Sequence, residues 1–504
     1  MPAVARLVLA AAAGLALALG QVPWSLWPVA LIGLGVILHL VAGAASARQG
    51  AALAFVAGAA HFALAMSWIV EPFLVEREVY GWMAPFALGL MAAGGGLFWA
   101  APVWVALTWT RGARLAAVVL ALAVSDLARG YVLTGFPWAL IGHVWIDTPV
   151  AQAVAFVGQY GLGLLTLGCV AGAVAGLRWV WGASSGSRLG LGMVPVQMVL
   201  GVGVLAAVWG LGMARLAGPG PAASGLVLRL VQPNAAQAAK WDPALARQHF
   251  DRLLAATGAA GAVDLVIWPE TALPYQIDTS PEVPGMIAAA ARGVPVMLGL
   301  QRVVGTRGWN SLRVQDGSGA ALASYDKHHL VPFGEYIPFG DLAFDWFGIS
   351  AFAAQTGRAY SAGPGPQVLD LGALGKVLPL ICYEAVFPQD LRTEVRPDWI
   401  VQVTNDAWFG TTSGPFQHAS LARLRAIEQG LPLARVANTG ITQMIDARGR
   451  VTAELAFGTA GHLDTVLPGP MAAPPYARWG DWPVALLLGG CVLWLFGRRS
   501  KPTA

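Results

Sequence analysis

The chain has 504 residues, of which 56% are hydrophobic and only 12% are charged, and its formal net charge is +4. Soluble domains carry roughly 25% charged residues, so this composition excludes a protein that faces water over its whole surface. The basic residues stand singly or in pairs between apolar stretches, which argues against a nucleic-acid partner.

The first half of the chain predicts a series of membrane-spanning helices. A span needs about 20 mostly apolar residues. The stretches that qualify are 4–21, 24–45, 51–71, 82–109, 114–133, 151–180 and 193–214, with an eighth near 482–497. Arg6 ahead of the first apolar run resembles the start of a signal peptide. Residues 20–23 are a poor cleavage site, however, and we expect this helix to be retained.

The charges of the loops predict the orientation of these spans. With a cytoplasmic N-terminus, the inner segments hold Arg6, Arg48, Arg111, Arg114, Arg178, Arg188, Arg498, Arg499 and Lys501, and the outer segments hold Arg77, Arg129, Arg215 and Arg478. Cytoplasmic loops carry an excess of Lys and Arg, so this distribution favours that orientation. We therefore expect a transmembrane domain of seven spans at 1–217, an extracytoplasmic domain at 218–475, and a final span with a cytoplasmic tail at 476–504.

The pattern between about 222 and 468 is that of an α/β domain, because short β-branched runs alternate with amphipathic helices. The expected strands are 226–232, 264–270, 294–300, 310–316, 376–384, 399–406, 433–439 and 441–446. Asp242-Pro243 and Ser280-Pro281 each place an N-cap before a proline at the first helical position. A third helix is expected at about 416–429, with Gly430 as its stop.

Three reactive side chains stand at the ends of apolar strands: Glu270 in LVIWPET, Lys327 in ASYDKHHL and Cys382 in VLPLICYE. A thiol is mostly protonated at neutral pH and needs a base to become a good nucleophile, a task that a glutamate can perform. Lys327 would favour the thiolate and, with the backbone N–H after Cys382, would stabilise an oxyanion. Together the three predict acyl transfer, although each alone has an ordinary explanation as a loop carboxylate, a solvated charge or a core cysteine.

The neighbouring pair His328-His329 raises the question of a metal site. Adjacent residues on a strand point to opposite faces of the sheet, and no Cys, Asp or Glu spacing completes a zinc set. We therefore expect no metal.

The motifs WPET, YDKHHLVPFGEYIP and ICYE closely resemble the nitrilase, or carbon–nitrogen hydrolase, superfamily, whose triad is Glu–Lys–Cys. The resemblance implies an αββα sandwich with Glu270, Lys327 and Cys382 as the triad and Glu335 as support for the lysine and the substrate. VQPNAAQAAKWDP, TNDAWFG and GFPW extend the likeness to membrane-bound acyltransferases that carry such a domain before a final span. The sites that this family places around the pocket are Trp241, Tyr383 and Glu384, for which simple packing is the alternative.

The resemblance also implies a two-step exchange that needs no cofactor. Cys382 would take a fatty acyl chain from a phospholipid as a thioester. The α-amine of a diacylglyceryl-cysteine at the N-terminus of an apolipoprotein would then accept the chain, giving a triacylated lipoprotein. Such a protein would work in the bacterial cytoplasmic (inner) membrane, with its catalytic domain on the periplasmic side.

Residues 337–352 form an apolar stretch with no clear period between Lys327 and Cys382. An amphipathic arm that dips into the bilayer would account for it, with Phe344, Trp346 and Phe347 toward lipid. Packing of this stretch beneath the domain is the alternative.

Two other functions remain open. One is a membrane-tethered amidase of the same superfamily, although a tether needs only one span. The other is a transporter or scaffold with an accessory domain, although the spans are poor in interior charge. Asp126 and Arg129, spaced i and i+3, could pair at a helix end or mark a lipid-headgroup site.

Overall fold

The computed structural model describes residues 1–110, 112–184, 196–237, 240, 242–337 and 359–497. The chain divides into two compact units. The first comprises Met1–Gly218, Thr412–Gln417 and Pro475–Ala504, and the second comprises Pro219–Thr411 and His418–Pro474.

The α-helices in the described part of the chain are α1 (Ala3–Ala18), α2 (Trp27–Ala42), α3 (Ala47–Ala65), α4 (Pro72–Val75), α5 (Arg77–Tyr80), α6 (Ala84–Trp109), α7 (Arg114–Arg129), α8 (Val154–Ser184), α9 (Val196–Ala217), α10 (Pro243–Thr257), α11 (Val283–Ala291), α12 (Gly414–Gln429), α13 (Pro475–Trp479) and α14 (Trp482–Gly497). The strands are β1 (Val227–Gln232), β2 (Leu265–Ile267), β3 (Val296–Val304), β4 (Arg307–Gln315), β5 (Ala321–Asp326), β6 (Leu369–Asp370), β7 (Lys376–Ile381), β8 (Trp399–Thr404), β9 (Leu433–Ala437), β10 (Thr442–Ile445), β11 (Val451–Leu455) and β12 (Gly461–Val466).

The first unit is built from apolar helices. Among the described residues, three helical segments are long and apolar enough to cross a membrane, namely Arg77–Trp109, Pro149–Trp179 and Val196–Ala217. A fourth results if Ala47–Ala65 and Ser67–Val75, which meet at a 65° bend, form one span. The apolar helices Ala3–Ala18, Trp27–Ala42 and Trp482–Leu495 are shorter. Several membrane-type helices are therefore present, and the full set of eight spans stays a prediction.

Helix α9 has the surface of a helix that faces lipid. Of its described residues only Gly201 and Gly212 are buried, whereas Leu200 is 61% exposed and Leu211 is 71% exposed. Soluble proteins rarely leave so continuous an apolar surface in water. This exposure supports the assignment of the first unit to a membrane.

Close helix contacts in the first unit use small residues. A side chain at Gly14 of α1 would lie 2.1 Å from the carbonyl oxygen of Ala57 in α3, an approach that only glycine permits and that is common between membrane helices. In α7, Arg129 forms a buried ion pair with Asp126 at 3.5 Å, and its guanidinium also donates to the carbonyl oxygen of Phe136. The structure thus places this pair in the interior of the unit as a packed ion pair.

The second unit contains two six-stranded sheets. Their strand orders are β12-β1-β2-β3-β4-β5 and β11-β10-β9-β8-β7-β6. In each sheet the central strands are parallel (β1, β2 and β3 in one, β7, β8 and β9 in the other), and the outer strands are antiparallel. The ends of the parallel strands bring residues from distant parts of the sequence to one edge of each sheet.

The sheets pack face to face with helices on the outside. Leu265 and Ile267 of β2 belong to a buried cluster with Val401 and Val403 of β8 in the other sheet. Val266, between them, points to the opposite face, in a cluster with residues of α10 and α11. Ala422 and Ala426 of α12 pack on the outer face of the second sheet. The second unit is therefore the predicted αββα sandwich.

The predicted elements agree with the structure wherever the local signal is strong. Asp242 caps α10 by accepting a hydrogen bond from the N–H of Ala244 at 2.8 Å. Gly430, with φ of +62°, follows the end of α12. The second expected cap is wrong: α11 begins at Val283, beyond Ser280-Pro281, and its N-cap residue Glu282 makes no side-chain cap. Pro284 at the second helical position offers no N–H to a capping side chain.

Candidate active site

Cys382 lies directly after β7, at the start of a 3-10 turn that runs from Cys382 to Val386. Its φ is +52°, a left-handed conformation that is rare for a residue other than glycine. Such strain persists only where the surroundings hold it, and it concentrates at functional sites. The turn reverses the chain sharply, so the thiol lies at the end of the strand, 6% exposed.

A buried network of polar side chains is hydrogen-bonded to the backbone of Cys382. The side-chain amide of Gln402 donates to the carbonyl oxygen of Cys382 at 3.2 Å and accepts from Arg435 at 2.8 Å. Arg435 also pairs with Asp406, which lies 2.8 Å from Nδ1 of His418. These contacts come from strands β8 and β9 and helix α12, so the second sheet and this helix fix the Cys382 turn.

Glu270 follows the end of β2 in the other sheet and is 6% exposed. Its Oε1 accepts a hydrogen bond from Nδ2 of Asn310 at 2.7 Å and lies 3.8 Å from Nζ of Lys327. The same Asn310 amide nitrogen lies 3.2 Å from Oε1 of Glu335. One amide therefore joins the two glutamates that lie beside the lysine.

Lys327 follows the end of β5 and is 1% exposed. Its backbone N–H donates to the carbonyl oxygen of Asn310 at 2.9 Å, and Nζ donates to Glu335 at 2.9 Å. Burial alone would lower the pKa of Lys327, but the charges of Glu335, Glu270 and Cys382 outweigh it and raise that pKa far above its usual value. The two neighbouring carboxylates therefore favour the charged ammonium form of Lys327.

Burial of the Cys382 thiol favours its protonated form. Burial raises its pKa well above the usual value, the charge of Glu270 raises it further, and the charge of Lys327 acts in the opposite direction. The charge of Lys327 therefore favours the thiolate, as expected, but burial has the larger effect on the pKa of Cys382. A nucleophilic role for this thiol would therefore require a neighbouring base.

Tyr383 and Glu384, two of the three residues expected around the pocket, have different surroundings. Tyr383 packs edge-on against Phe387, with ring centroids 4.8 Å apart. Glu384 has no exposed surface and accepts hydrogen bonds from the N–H of Ile381 and the hydroxyl of Tyr325 at 2.7 and 2.8 Å. Glu384 therefore ties the Cys382 turn to the strand that leads to Lys327.

The expectation that His328 and His329 point to opposite faces is wrong. Strand β5 ends at Asp326, so both rings can turn toward Asp390, from which they lie 3.5 and 2.8 Å away. The three residues each offer a metal-ligand atom, and those atoms lie within 4.8 Å of one another. Glu384, 2.7 Å from Nδ1 of His328, extends this cluster into a network of hydrogen bonds between imidazoles and carboxylates.

Trp241, Phe344, Trp346 and Phe347 lie outside the described residues. The residues that sequence reasoning missed are Asn310, Gln402, His418, Arg435 and Lys240, all buried. A polar residue inside an otherwise apolar strand, as in WIVQVT or LARVA, was the available signal for Gln402 and Arg435.

Comparison with known sequences first defines the class of the second unit. A sequence model described as carbon–nitrogen hydrolase matches residues 228–467. The region contains both sheets and all the strand-end residues described above, so the second unit is a carbon–nitrogen hydrolase domain. Another model, described as the apolipoprotein N-acyltransferase N-terminal domain, matches residues 13–173.

Relatives along the whole length then identify the family. The apolipoprotein N-acyltransferase of Rhodopseudomonas palustris is 35% identical, over 99% of this chain and 96% of that protein. That of Caulobacter vibrioides is 37% identical, over 94% and 91%. The chain belongs to the apolipoprotein N-acyltransferase family and is an N-acyltransferase.

Two solved structures are similar to about half of the chain. An amidase from Nesterenkonia sp. AN1 aligns with a TM-score of 0.39 and 19% identity, over 54% of this chain and 99% of the amidase. A CN-hydrolase superfamily protein from Xanthomonas campestris aligns with a TM-score of 0.37 and 22% identity, over 52% and 96%.

Proposed function

We propose that this protein transfers a fatty acyl chain from a phospholipid to the N-terminal α-amine of diacylglyceryl-cysteine in apolipoproteins, through a thioester on Cys382. The observation that carries the proposal is the convergence of Glu270, Lys327 and Cys382. They end three strands far apart in sequence, yet Lys327 lies 3.8 Å from Glu270 and the charges of both act on Cys382.

In the first step Glu270 takes the thiol proton as the sulfur attacks the ester carbonyl carbon. Lys327 and the backbone N–H after Cys382 stabilise the oxyanion of the tetrahedral intermediate, because they are positive groups already in place. The carbon–oxygen bond then breaks, and Glu270 returns the proton to the leaving oxygen. The products are the thioester and a lysophospholipid.

In the second step the free α-amine attacks the thioester carbonyl. Glu270 takes a proton from the attacking nitrogen and returns it to the sulfur as the carbon–sulfur bond breaks. An amide and the free thiol result. The role of Glu335 is to hold the lysine, at 2.9 Å from Nζ, and Tyr383 and Glu384 support the nucleophile's turn.

The membrane arrangement belongs to the same proposal. Eight spans would leave residues 218–475 on the periplasmic side of the bacterial inner membrane, as the distribution of basic residues favours. The stretch 337–352 would reach into the bilayer through Phe344, Trp346 and Phe347, which brings the site to its lipid donor. The acyl donor would then come from the outer leaflet of that membrane.

The test is intact-mass analysis of the detergent-purified protein after incubation with a phospholipid of defined acyl chains. We expect one added acyl mass that hydroxylamine removes and that Cys382→Ser does not acquire. Adding a diacylglyceryl lipopeptide should discharge the acyl group and give an acylated peptide. Ammonia release from small amides without any acyl adduct would instead favour the amidase, and a Cys382→Ser strain with normal lipoprotein maturation would favour a transporter or scaffold.

A further inference from the structure

A second lysine lies buried next to the proposed base. Lys240 is 5% exposed. Its Nζ donates to the backbone carbonyl oxygen of Glu270 at 3.2 Å and to the hydroxyl oxygen of Thr271 at 2.6 Å. Both acceptors belong to the turn that follows β2, so the ammonium group holds the backbone that presents the Glu270 carboxyl group.

This turn needs to be held. Thr271 has φ of +43°, a left-handed conformation that is costly for a β-branched residue. On its other side, Gly299 of β3 leaves the turn so little room that a Cβ there would lie 2.7 Å from the Cα of Glu270. The turn is thus enclosed between a glycine on the neighbouring strand and the Lys240 ammonium group.

Lys240 also acts electrostatically on the reacting groups. Burial lowers its pKa to about 8, and the charges of Glu270 and Cys382 oppose that shift. The charged groups that act on Cys382 from the other elements are Glu270, Lys327 and Asp406. His249 of α10 is the further titratable group that faces Lys240.

We propose that Lys240 is a positioning residue for the acyl transfer, which fixes the turn that carries Glu270 and adds a second positive charge to the buried site next to that turn. The inference rests on the proposed function for its place in the reaction. A negative charge develops on the sulfur and the oxyanion during attack, and a buried cation nearby stabilises both more strongly than it would in water.

The test separates the effect of the Lys240 charge from the effect of its hydrogen bonds to the turn after β2. Lys240→Gln keeps a hydrogen-bond donor toward the turn but removes the charge, Lys240→Arg keeps the charge, and Thr271→Val removes only the side-chain acceptor. Lys376→Gln, at an exposed position at the start of β7, is the control. The readout is the rate of Cys382 alkylation by iodoacetamide from pH 6 to 10, measured on the Cys382 peptide by mass spectrometry in full-length protein.

We expect Lys240→Gln to slow alkylation about tenfold below pH 8, since the loss of one cation raises the thiol pKa by roughly one unit. The difference from the unmodified protein should shrink above pH 8, where Lys240 itself loses its proton. Lys240→Arg should keep the original rate. Thr271→Val should leave the alkylation profile in place but lower the acyl-transfer rate several-fold.

Superimposable alkylation profiles for Lys240→Gln and the unmodified protein would overturn the charge role. An unchanged acyl-transfer rate in Thr271→Val would overturn the proposal that Lys240 holds this turn through Thr271. The alkylation measurement uses no lipid, so it reports the effect of Lys240 on Cys382 whether or not the unmodified protein forms an acyl-enzyme. Failure to form an acyl-enzyme would contradict only the proposed function.

Discussion

The Asn310 amide illustrates how one residue can organise two charged neighbours. Its nitrogen lies within hydrogen-bond distance of both Glu270 and Glu335, at 2.7 and 3.2 Å. Both carboxylates therefore act as acceptors at the same donor, with Lys327 as their common counter-ion. This arrangement orients the proposed base, Glu270, without making Asn310 part of the chemistry.

We expect Asn310→Ala to lower the acyl-transfer rate by about 10- to 100-fold, because a misplaced base loses the alignment on which proton transfer depends. The variant should also lose about 1–3 kcal/mol of stability through the unsatisfied buried carboxylates. Thioester formation followed by intact mass gives the rate, and thermal unfolding gives the stability. A normal rate in a folded protein would contradict this role.

His328 predicts a pH dependence of stability. Burial would lower its pKa, but hydrogen bonds to Asp390 and Glu384 outweigh burial and raise the pKa to about 9. The folded pKa is above the unfolded value of about 6.5, so the contribution is complete below pH 6.5 and is lost as the pH rises through 9. The loss should be on the order of 1–3 kcal/mol.

Thermal unfolding of the purified protein should therefore show a Tm that falls by a few degrees between pH 7 and pH 9.5. His328→Gln should have the lower Tm already at pH 7 and a flatter profile. His462→Gln, on strand β12 at the opposite edge of the same sheet, should behave like the unmodified protein. A profile in His328→Gln as steep as the original would contradict the assignment.

At the scale of elements, the sequence predicts those that have a strong local or apolar signal. All eight expected ranges contain strands. Six of these are the central parallel strands, which read as apolar runs, and the other two, β4 and β10, are their antiparallel neighbours. Strands β5, β6, β11 and β12 were missed, since they are outer strands with exposed residues, as in ALASYD and VTAEL. Their pairing with neighbours, which no local pattern reveals, makes them strands.

The contact between β3 and the Glu270 turn is an element-scale feature with a direct test. A methyl group at Gly299 would lie 2.3 Å from the carbonyl oxygen of Pro269 and 2.7 Å from the N atom of Thr271. Backbone atoms cannot give way cheaply, so Gly299→Ala should displace the turn, cost about 1–3 kcal/mol and lower acyl transfer at least tenfold.

Gly285→Ala in α11 is the matched control, because nothing lies within 4 Å of the added methyl group. Acyl-transfer rates and thermal unfolding of the two variants should differ clearly. Equal behaviour would show that the Glu270 turn tolerates displacement.

At the scale of the whole molecule, the orientation in the membrane is testable by cysteine labelling. In a background without Cys169, Cys382 and Cys491, we expect Ser318→Cys in the second unit to react with a membrane-impermeant maleimide added to intact spheroplasts. Ala45→Cys, at the predicted cytoplasmic end of the second span, should react only after the membrane is opened. Both positions are exposed. The reverse pattern would contradict a periplasmic catalytic domain.

The composition of the active site was predictable only in part. Glu270, Lys327 and Cys382 each terminate a visible strand, and the family motifs surround them. The contacts of Asn310 and Lys240 depend on which strands are neighbours and in what register, such as the pairing of Ser311 in β4 with Asp326 in β5. That information is non-local, so two buried polar residues of the site had no distinguishing mark in the sequence.

The depth of the Cys382 sulfur bears on the lifetime of an acyl group attached to it. Bulk water has little access to a carbonyl on a side chain that is 6% exposed, and the exclusion of water suppresses hydrolysis of a reactive intermediate. The loaded enzyme should therefore persist until an amine arrives. Attack by an amine or by water on the thioester is what separates a transferase from an amidase with the same triad. The balance between the two would then be decided by which of them reaches the thioester, rather than by the reacting groups.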